Sequence, residues 1–292
     1  MLSIKRILAC LALLCLPAVA VGQGLDAAKL DQAFNRSGQK LGDVYKFGFP
    51  RTDLHVTVNG VAIKPGLALG SWAAFSGTDT DAMVMGDLVL LQDEVNPVMT
   101  KLRQSGFEIT ALHNHLLGET PRVMYMHYMG HGNAAELASS LRAALGESKT
   151  PFGKPAGSAE SEAPPPFVKA VEDALGRKGS FAGGVLGFGI PRAEAITMDG
   201  VTVLPSQGVA EGINFQEAGD GKVATTGDFV LTAGEINPVI SALEAHHILV
   251  TALHSHTLGE QPRLFFMHFW GRGPTADVAE GIKAALEKVR VK

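Results

Sequence analysis

Cysteine is almost absent from this sequence, and so are long apolar runs. The two cysteines, Cys10 and Cys15, both lie close to the N-terminus. Beyond them the chain has no thiol for a disulfide, for nucleophilic catalysis or for metal binding. Any metal ion held there must use nitrogen and oxygen donors, with methionine sulfur as the only soft ligand.

The one extended apolar run lies at the N-terminus. Lys5-Arg6 precedes an apolar stretch over residues 7–16, and the small-residue sequence Ala18-Val19-Ala20 follows it. This order is typical of a secretory signal peptide over residues 1–20, with the mature protein beginning near Val21. The run is too short for a bilayer-spanning helix, which needs about 20 residues. The sequence predicts a periplasmic or secreted protein without a transmembrane segment.

Basic residues are not in excess. The formal net charge is −4, and removal of the basic residues Lys5 and Arg6 with the signal peptide makes it −6. Nucleic-acid binding depends on a basic face that neutralises phosphates, so we expect no nucleic-acid partner. Neither Cys10 nor Cys15 has the apolar core and small residues before it that lipid attachment requires, so we expect no lipid anchor.

The sequence repeats itself at an offset of 141 residues. Thr110 to Arg122 reads TALHNHLLGETPR and Thr251 to Arg263 reads TALHSHTLGEQPR, with 10 of 13 positions identical. A stretch rich in Pro, Ser, Gly and Ala over residues 148–166 reads as a weakly ordered linker. The sequence predicts two tandem domains, copy one over residues 25–147 and copy two over residues 167–292. We expect their matched apolar faces to pack together around a pseudo-two-fold axis.

Each copy is predicted to be α+β, with helices packed on a largely antiparallel sheet. Asn59-Gly60 and Asp199-Gly200 lie between apolar and β-branched runs, and such dipeptides favour type I′ hairpin turns. A helix is expected to begin at Asn96-Pro97, with asparagine as the N-cap. Two strands and a closing helix over Ala134 to Leu145 complete a β-α-β-β-α unit.

Six of the ten histidines belong to the duplicated pattern. His113 and His115 are two apart on a predicted strand, so both imidazoles point to one face of the sheet. If the following turn centres near Glu119, His113 faces Tyr125 and His127 lies diagonally across on the same face. Three converging imidazoles suit a divalent metal. The candidate ligands are His113, His115 and His127 in copy one and His254, His256 and His268 in copy two.

The expected cofactor is a divalent metal, zinc foremost, with copper, iron or manganese as alternatives. Glu119 and Glu260 are candidates for a fourth ligand or a general base, and an open coordination position would make the site hydrolytic. Because each copy has a complete set, replacing His113 and His115 should leave metal uptake by copy two intact. The competing interpretation is a structural network in which the histidines bond to one another and to carboxylates without metal.

Two arginines follow the histidines. Arg122 and Arg263 either bind an anionic group through a bidentate fork or pair with Glu119 and Glu260 to stiffen the turn. In the first case the protein is a metal-free binding module for a small anionic ligand of the cell envelope.

Other duplicated polar residues favour structural roles. Arg51 and its counterpart Arg192 each precede a nearby acid, which favours an internal ion pair. Asp87 and Asp228 follow glycine inside a strand, where they either orient a histidine or stabilise a bulge. Glu94 and its counterpart are assigned to helix capping.

The block TALHNHLLGETPR, the Met126-His127 that follows it, and the earlier Gly86-Asp87 and Gly70-Ser71-Trp72-Ala73-Ala74-Phe75 resemble the LppY/LpqO family of exported bacterial proteins of undefined function. The resemblance covers both copies and implies an exported, duplicated domain. Copy two departs from it where Glu211-Gly212-Ile213-Asn214-Phe215 replaces the segment that begins at Gly70.

Overall fold

The computed structural model describes residues 24–153 and 163–292, so the predicted signal peptide and part of the linker lie outside the described residues. The helices are α1 Ala27–Phe34, α2 Pro65–Ala68, α3 Val95–Gln104, α4 Ala134–Leu145, α5 Pro166–Leu175, α6 Ile236–Ala245 and α7 Thr275–Leu286. None of these described helices is long and apolar enough to cross a membrane.

Copy one contributes nine of the strands. They are β1 Gln39–Leu41, β2 Val44–Pro50, β3 Thr57–Val58, β4 Val61–Ala62, β5 Gly70–Gly77, β6 Ala82–Leu91, β7 Glu108–His113, β8 Glu119–Thr120 and β9 Val123–Gly132. Copy two contributes β10 Ser180–Ala182, β11 Val185–Pro191, β12 Ile196–Met198, β13 Val201–Val203, β14 Ala210–Glu217, β15 Lys222–Leu231, β16 Leu249–His254 and β17 Phe265–Pro274.

Each copy builds one six-stranded sheet, and the two sheets have the same topology. The strand order is β1-β2-β5-β6-β9-β7 in copy one and β10-β11-β14-β15-β17-β16 in copy two. Every neighbouring pair is antiparallel. The predicted α+β class, with an antiparallel sheet and helices in each half, is confirmed.

Both predicted hairpins form. Asn59 and Gly60 have φ values of 49° and 80°, and Asp199 and Gly200 have φ values of 51° and 80°. Positive φ at both central residues is what a type I′ turn requires. The β3–β4 hairpin also pairs with β8, which ties it to the turn that follows the histidines.

The two faces of each sheet have different partners. In β6, Leu88 and Leu90 face α1, α3 and α4 and belong to the helix-side core of copy one. The intervening Val89 points the other way, into a core that also contains Ala224 and Trp270 of copy two. Period-two alternation therefore divides each sheet into a helix-covered face and a face covered by the other copy.

The packing between the copies follows the duplication. One inter-copy core joins Val89 and Tyr125 to Trp270 of copy two. The other joins Val230 and Phe266, their counterparts in copy two, to methionines of copy one that include Met129. The second core thus uses the same positions as the first with the two copies exchanged, so the halves are related by a pseudo-two-fold axis. The two sheets face each other, and the helices cover their outer faces.

A buried arginine connects separate segments in each copy. The Arg51 guanidinium, fully buried, donates to both carboxylate oxygens of Asp53 at 2.8–2.9 Å and of Glu94 at 2.7–3.1 Å, and to the Val89 carbonyl at 2.7 Å. Arg192 repeats the arrangement. The predicted internal ion pair is confirmed.

The predicted start of α3 is wrong by two residues, and so is its cap. The helix begins at Val95, and Glu94 occupies the N-cap position without a side-chain capping bond. The Glu94 carboxylate instead accepts hydrogen bonds from Arg51 and from the backbone N–H groups of Leu91 and Lys149. Local sequence predicted that Glu94 caps the helix, but its carboxylate instead pairs with Arg51, 43 positions away in the chain.

Candidate metal centre

The histidines of copy one lie on the sheet face that copy two covers. His113 ends β7 and pairs directly with Tyr125 of β9, as predicted from the turn. His127, two residues further along β9, lies on the same face because side chains alternate along a strand. His115 follows the end of β7, where its carbonyl accepts a 2.6 Å hydrogen bond from the Thr251 hydroxyl of copy two.

The duplicated histidines form one cluster rather than two separate sites. The ring centroids of His113 and His254 are 3.7 Å apart. The rings of His115 and His268 are 3.4 Å apart, and those of His127 and His256 are 3.6 Å apart. Each of these close pairs joins one histidine of copy one to one of copy two. We call these six residues the histidine cluster.

This arrangement corrects the expectation that each copy holds its own complete set of ligands. The offset of 141 residues relates the pair His115–His268 to the pair His256–His127, and it relates His113 to His254. The cluster therefore lies on the pseudo-two-fold axis between the two sheets. For each of the six imidazoles, the nearest other imidazole belongs to the opposite copy, so a site built from one copy alone would lack it.

Two carboxylates join the cluster from the neighbouring strand. Asp87 pairs directly with His127 across β6 and β9, and Asp228 pairs with His268 across β15 and β17. Asp228 Oδ1 lies 3.1 Å from His268 Nδ1, and Asp87 Oδ2 lies 3.8 Å from His127 Nε2. The sequence left open whether these aspartates orient a histidine or stabilise a bulge, and the contacts favour the first role.

The glycines before these aspartates allow the strands to approach closely. A Cβ atom at Gly86 would lie 2.3 Å from the Trp72 carbonyl oxygen, and one at Gly227 would lie 1.8 Å from that of Gly212. Neither contact is compatible with a side chain. The duplicated Gly-Asp dipeptide thus combines a position that only glycine fits with a carboxylate that faces the cluster.

Burial keeps the imidazoles neutral. Burial and the neighbouring imidazoles lower the pKa of His254 to about 3. Burial also lowers the pKa of His268 to about 3, although its bond to the Gly227 carbonyl opposes this. The same two causes, burial and neighbouring imidazoles, lower the pKa of the other four members of the cluster: His113, His115, His127 and His256. Neutral imidazole carries the lone pair that binds a metal ion.

Burial acts in the opposite direction on the carboxylates. It raises the pKa of Asp228 to about 7. It also raises the pKa of Asp87 well above its usual range, and the charge of nearby Asp228 adds to this effect. Both aspartates would gain from a cation placed between them and the imidazoles, because an adjacent positive charge favours the ionised carboxylate.

The cluster contains an unusual concentration of unsatisfied polar atoms. Within the described part of the chain, both ring nitrogens of His113 and of His254 are buried without a hydrogen-bond partner. The same holds for one ring nitrogen of each other cluster histidine and for one oxygen of each of Asp87 and Asp228. Each such atom costs about 1–3 kcal/mol when it stays unpaired. A structural network would satisfy these atoms internally, which the contacts do not do.

A cavity of about 780 Å³ opens on the cluster. His115, His127 and His256 form part of its wall, together with residues from both copies. Lys46 Nζ lies 4.1 Å from the centre of the Trp72 ring in this wall and donates to the Ser206 carbonyl at 2.9 Å. Burial lowers the pKa of Lys46 to about 8.

The cavity wall is not symmetric, and sequence reasoning missed its polar residues. Gly187 and Gly212 occupy the positions of Lys46 and Trp72 in copy two. Glu211, fully buried in the same wall, accepts a hydrogen bond from the Val230 N–H, as Ser71 does from Val89 in copy one. The available signal for Glu211 was the acid that copy two has at the start of β14, where copy one has Ser71.

The turn residues have contacts of their own. Glu260 accepts hydrogen bonds from the Thr257 hydroxyl at 2.5 Å and from the Leu264 N–H at 2.9 Å. Arg263 lies 3.3 Å from Glu260, and Arg122 lies 4.0 Å from Glu119. These pairs support the interpretation that the arginines stiffen the turn, and neither arginine is part of the described cavity wall.

The remaining histidines and the methionines lie elsewhere. His55, His131 and His247 are exposed and His246 is half-buried, all outside the cluster. Met83, Met85 and Met129 pack in an apolar core with side chains of copy two such as Phe266. These three methionines therefore serve as core side chains between the copies.

Fold and site together define a duplicated α+β protein with a histidine-rich centre between its halves. The chain belongs to the family described as Domain of Unknown Function (DUF1259), whose model matches residues 28–147 and 169–288. This establishes the two tandem copies of an uncharacterised domain; the LppY/LpqO name is not confirmed by it. No curated protein matches the sequence.

Two solved structures show distant likeness. One is a trimeric bacterial microcompartment shell protein, PduB, at 10% identity and a TM-score of 0.22, covering 87% of this chain and 89% of the other. The other is EtuB from Clostridium kluyveri, at 10% identity and a TM-score of 0.20, covering 86% of this chain and 88% of the other. At these scores neither supports a statement about fold or function.

Proposed function

We propose that the protein binds divalent metal at the histidine cluster, which its two copies share. The observation that carries the proposal is the convergence of buried, unpartnered donor atoms. Donor atoms of His113, His254, His256 and His268 all lie within 4.8 Å of one another, and so do those of His115, Asp228 and His268.

The chemistry of the donors suits zinc. Zinc takes nitrogen and oxygen ligands at about 2.0–2.2 Å, usually four in tetrahedral geometry. Neutral imidazoles dominate the cluster, and carboxylates adjoin it. Copper, iron and manganese also accept imidazole, so the donor set does not select one metal. When bound, a four-coordinate ion would satisfy four of the atoms that the fold leaves without partners.

Export is a second part of the proposal and rests on sequence alone. The charged, apolar and small-residue segments over residues 1–20 support cleavage near Val21 and a periplasmic or secreted location. The N-terminal sequence of protein recovered from the periplasm tests it, since material that still begins at Met1 would contradict cleavage.

Zinc should bind to the metal-free protein and stabilise it. Protein purified without a histidine tag and stripped with chelator is expected to release heat on titration with Zn²⁺ and to unfold at a higher temperature. At a free zinc concentration of 100 times Kd, the stabilisation is about 2.7 kcal/mol. The variant His131→Ala/His246→Ala, which changes only histidines outside the cluster, should behave like the parent. Absence of heat together with an unchanged melting temperature would contradict the proposal.

The cavity favours catalysis as a second candidate function. A metal-dependent hydrolase needs an ion within reach of substrate, and a bound divalent ion lowers the pKa of coordinated water. The cavity wall contains cluster histidines, and Lys46 supplies a cation there for an anionic substrate. Zinc-loaded protein should hydrolyse p-nitrophenyl acetate or p-nitrophenyl phosphate faster than metal-free protein does. If the zinc-loaded and the metal-free protein hydrolyse each ester at the same rate, that result would argue against catalysis.

A further inference from the structure

We infer that the shared cluster holds two metal ions, each bound by three imidazoles and one carboxylate. The inference rests on the proposed function and adds the number of ions and the ligands of each. It follows from the pseudo-two-fold symmetry and from the number of donor groups.

Symmetry limits where an ion can lie. A single ion that uses both copies equally must sit on the pseudo-two-fold axis, where His113 and His254 meet. Any ion off the axis has an equivalent position on the other side. The two carboxylates lie off the axis, because their nearest histidines differ. Asp228 Oδ1 lies 3.1 Å from His268 Nδ1 and 3.9 Å from His256 Nε2, and Asp87 Oδ2 lies 3.8 Å from His127 Nε2.

The first donor set consists of His115, His268 and Asp228. Their donor atoms lie within 4.8 Å of one another. The two rings are 3.4 Å apart, and Asp228 Oδ1 lies 3.1 Å from His268 Nδ1. The set takes one imidazole from copy one and an imidazole and a carboxylate from copy two.

The second donor set is the symmetry counterpart, His256, His127 and Asp87. The offset of 141 residues converts each member of the first set into a member of this one. The rings of His127 and His256 are 3.6 Å apart, and Asp87 Oδ2 lies 3.8 Å from His127 Nε2. Asp87 lies further from its histidine than Asp228 does in the first set, but the same three residue types lie next to one another.

The axial pair supplies the fourth ligand of each set. Both ring nitrogens of His113 and of His254 are buried without partners among the described residues. Donor atoms of this pair lie within 4.8 Å of those of His268 in the first set and His256 in the second. Each axial imidazole can therefore complete one donor set.

The number of donors matches two ions and exceeds the need of one. Six imidazoles and two carboxylates make two sets of four, the usual coordination number of zinc. One four-coordinate ion would leave the remaining four side chains with unsatisfied buried atoms, at about 1–3 kcal/mol each. Two ions give each of the eight side chains a bond to metal, and one ring nitrogen each of His113 and His254 stays without a partner among the described residues.

Zinc content measures the number of ions directly. Tag-free protein is stripped, loaded with excess Zn²⁺ and desalted, and zinc per chain is determined by elemental analysis and native mass spectrometry. The inference predicts two zinc ions per chain in the parent and in the His131→Ala/His246→Ala control. One per chain would overturn the inference and leave the proposed function standing, and none would overturn both.

A variant that removes only the first donor set sharpens the test. The change His115→Ala/His268→Ala should lower zinc from two per chain to one, because the second set and an axial histidine remain. If that variant does not fold, Asp228→Asn, which keeps the side-chain size, should give the same fall. Two zinc ions per chain in Asp228→Asn, or none in a folded His115→Ala/His268→Ala variant, would contradict the assignment of ligands to sets.

Discussion

If the cluster holds two ions as inferred, replacing His115 and His127 together by alanine should abolish tight zinc binding by the whole chain, although copy two keeps all three of its histidines. His115 adjoins His268, and His127 adjoins His256, so the double change removes a ligand on both sides of the axis. Loss of residues that merely orient ligands costs about 10–100-fold in metal affinity. Loss of the ligands themselves should cost at least about 100-fold.

Competition with a chromophoric chelator measures this affinity, with His131→Ala/His246→Ala as the matched double variant. Circular dichroism establishes that each variant is folded. If the copies held independent sites, as the repeat alone suggests, the His115→Ala/His127→Ala variant would keep half of the parent's tightly bound zinc. That result would contradict a shared centre.

Replacing Arg51 by alanine is expected to lower the free energy of unfolding by about 3–5 kcal/mol, the cost of leaving a buried ion-pair partner alone. The side chain is fully buried, and its removal takes the guanidinium donors away from the Val89 carbonyl and from the Glu94 carboxylate, which keeps only two backbone N–H donors. Asp53 is partly exposed, so water can replace the hydrogen bonds that its carboxylate loses. The effect is large because the same guanidinium holds β6 and the start of α3 to the end of β2.

Urea denaturation followed by circular dichroism measures the change. Arg103→Ala is the matched control, because Arg103 is exposed on α3. Its loss should cost less than about 1 kcal/mol. A loss below about 1 kcal/mol for Arg51→Ala as well would show that the buried network contributes little to stability.

The duplication and the local structure could be predicted from sequence because they depend on short-range signals. Asn59-Gly60 specifies its turn through positive φ, and α4 forms over the predicted residues Ala134–Leu145. The pairing of His113 with Tyr125 followed from the length of the turn between their strands. In each case the determining residues lie within a few positions of one another.

The shared centre could not be predicted in this way. Alternation along β7 and β9 places His113 and His127 on one sheet face, but it does not say what covers that face. The covering element is a second copy of the domain, whose own histidine face is identical in pattern. The sequence predicted that the copies would pack around an axis, yet it assigned each His-x-His motif to its own copy. Only the position of the axis brings His113 next to His254.

The polar residues of the cavity escaped prediction for a related reason. Lys46 lies on β2 and Ser206, its hydrogen-bond acceptor, lies 160 residues further along the chain. Glu211 sits in the strand where copy two departs from copy one, and the sequence shows this difference only as a departure from the family pattern. Its burial beside Arg192 follows from the approach of distant strands.

Anomalous X-ray diffraction at the zinc absorption edge, from crystals of the zinc-loaded protein, tests the shared centre most directly. We expect anomalous density between the two sheets, next to the His113–His254 pair, with every peak bound by imidazoles of both copies. Separate peaks, each surrounded by histidines of one copy alone, or no peak at the cluster, would contradict it.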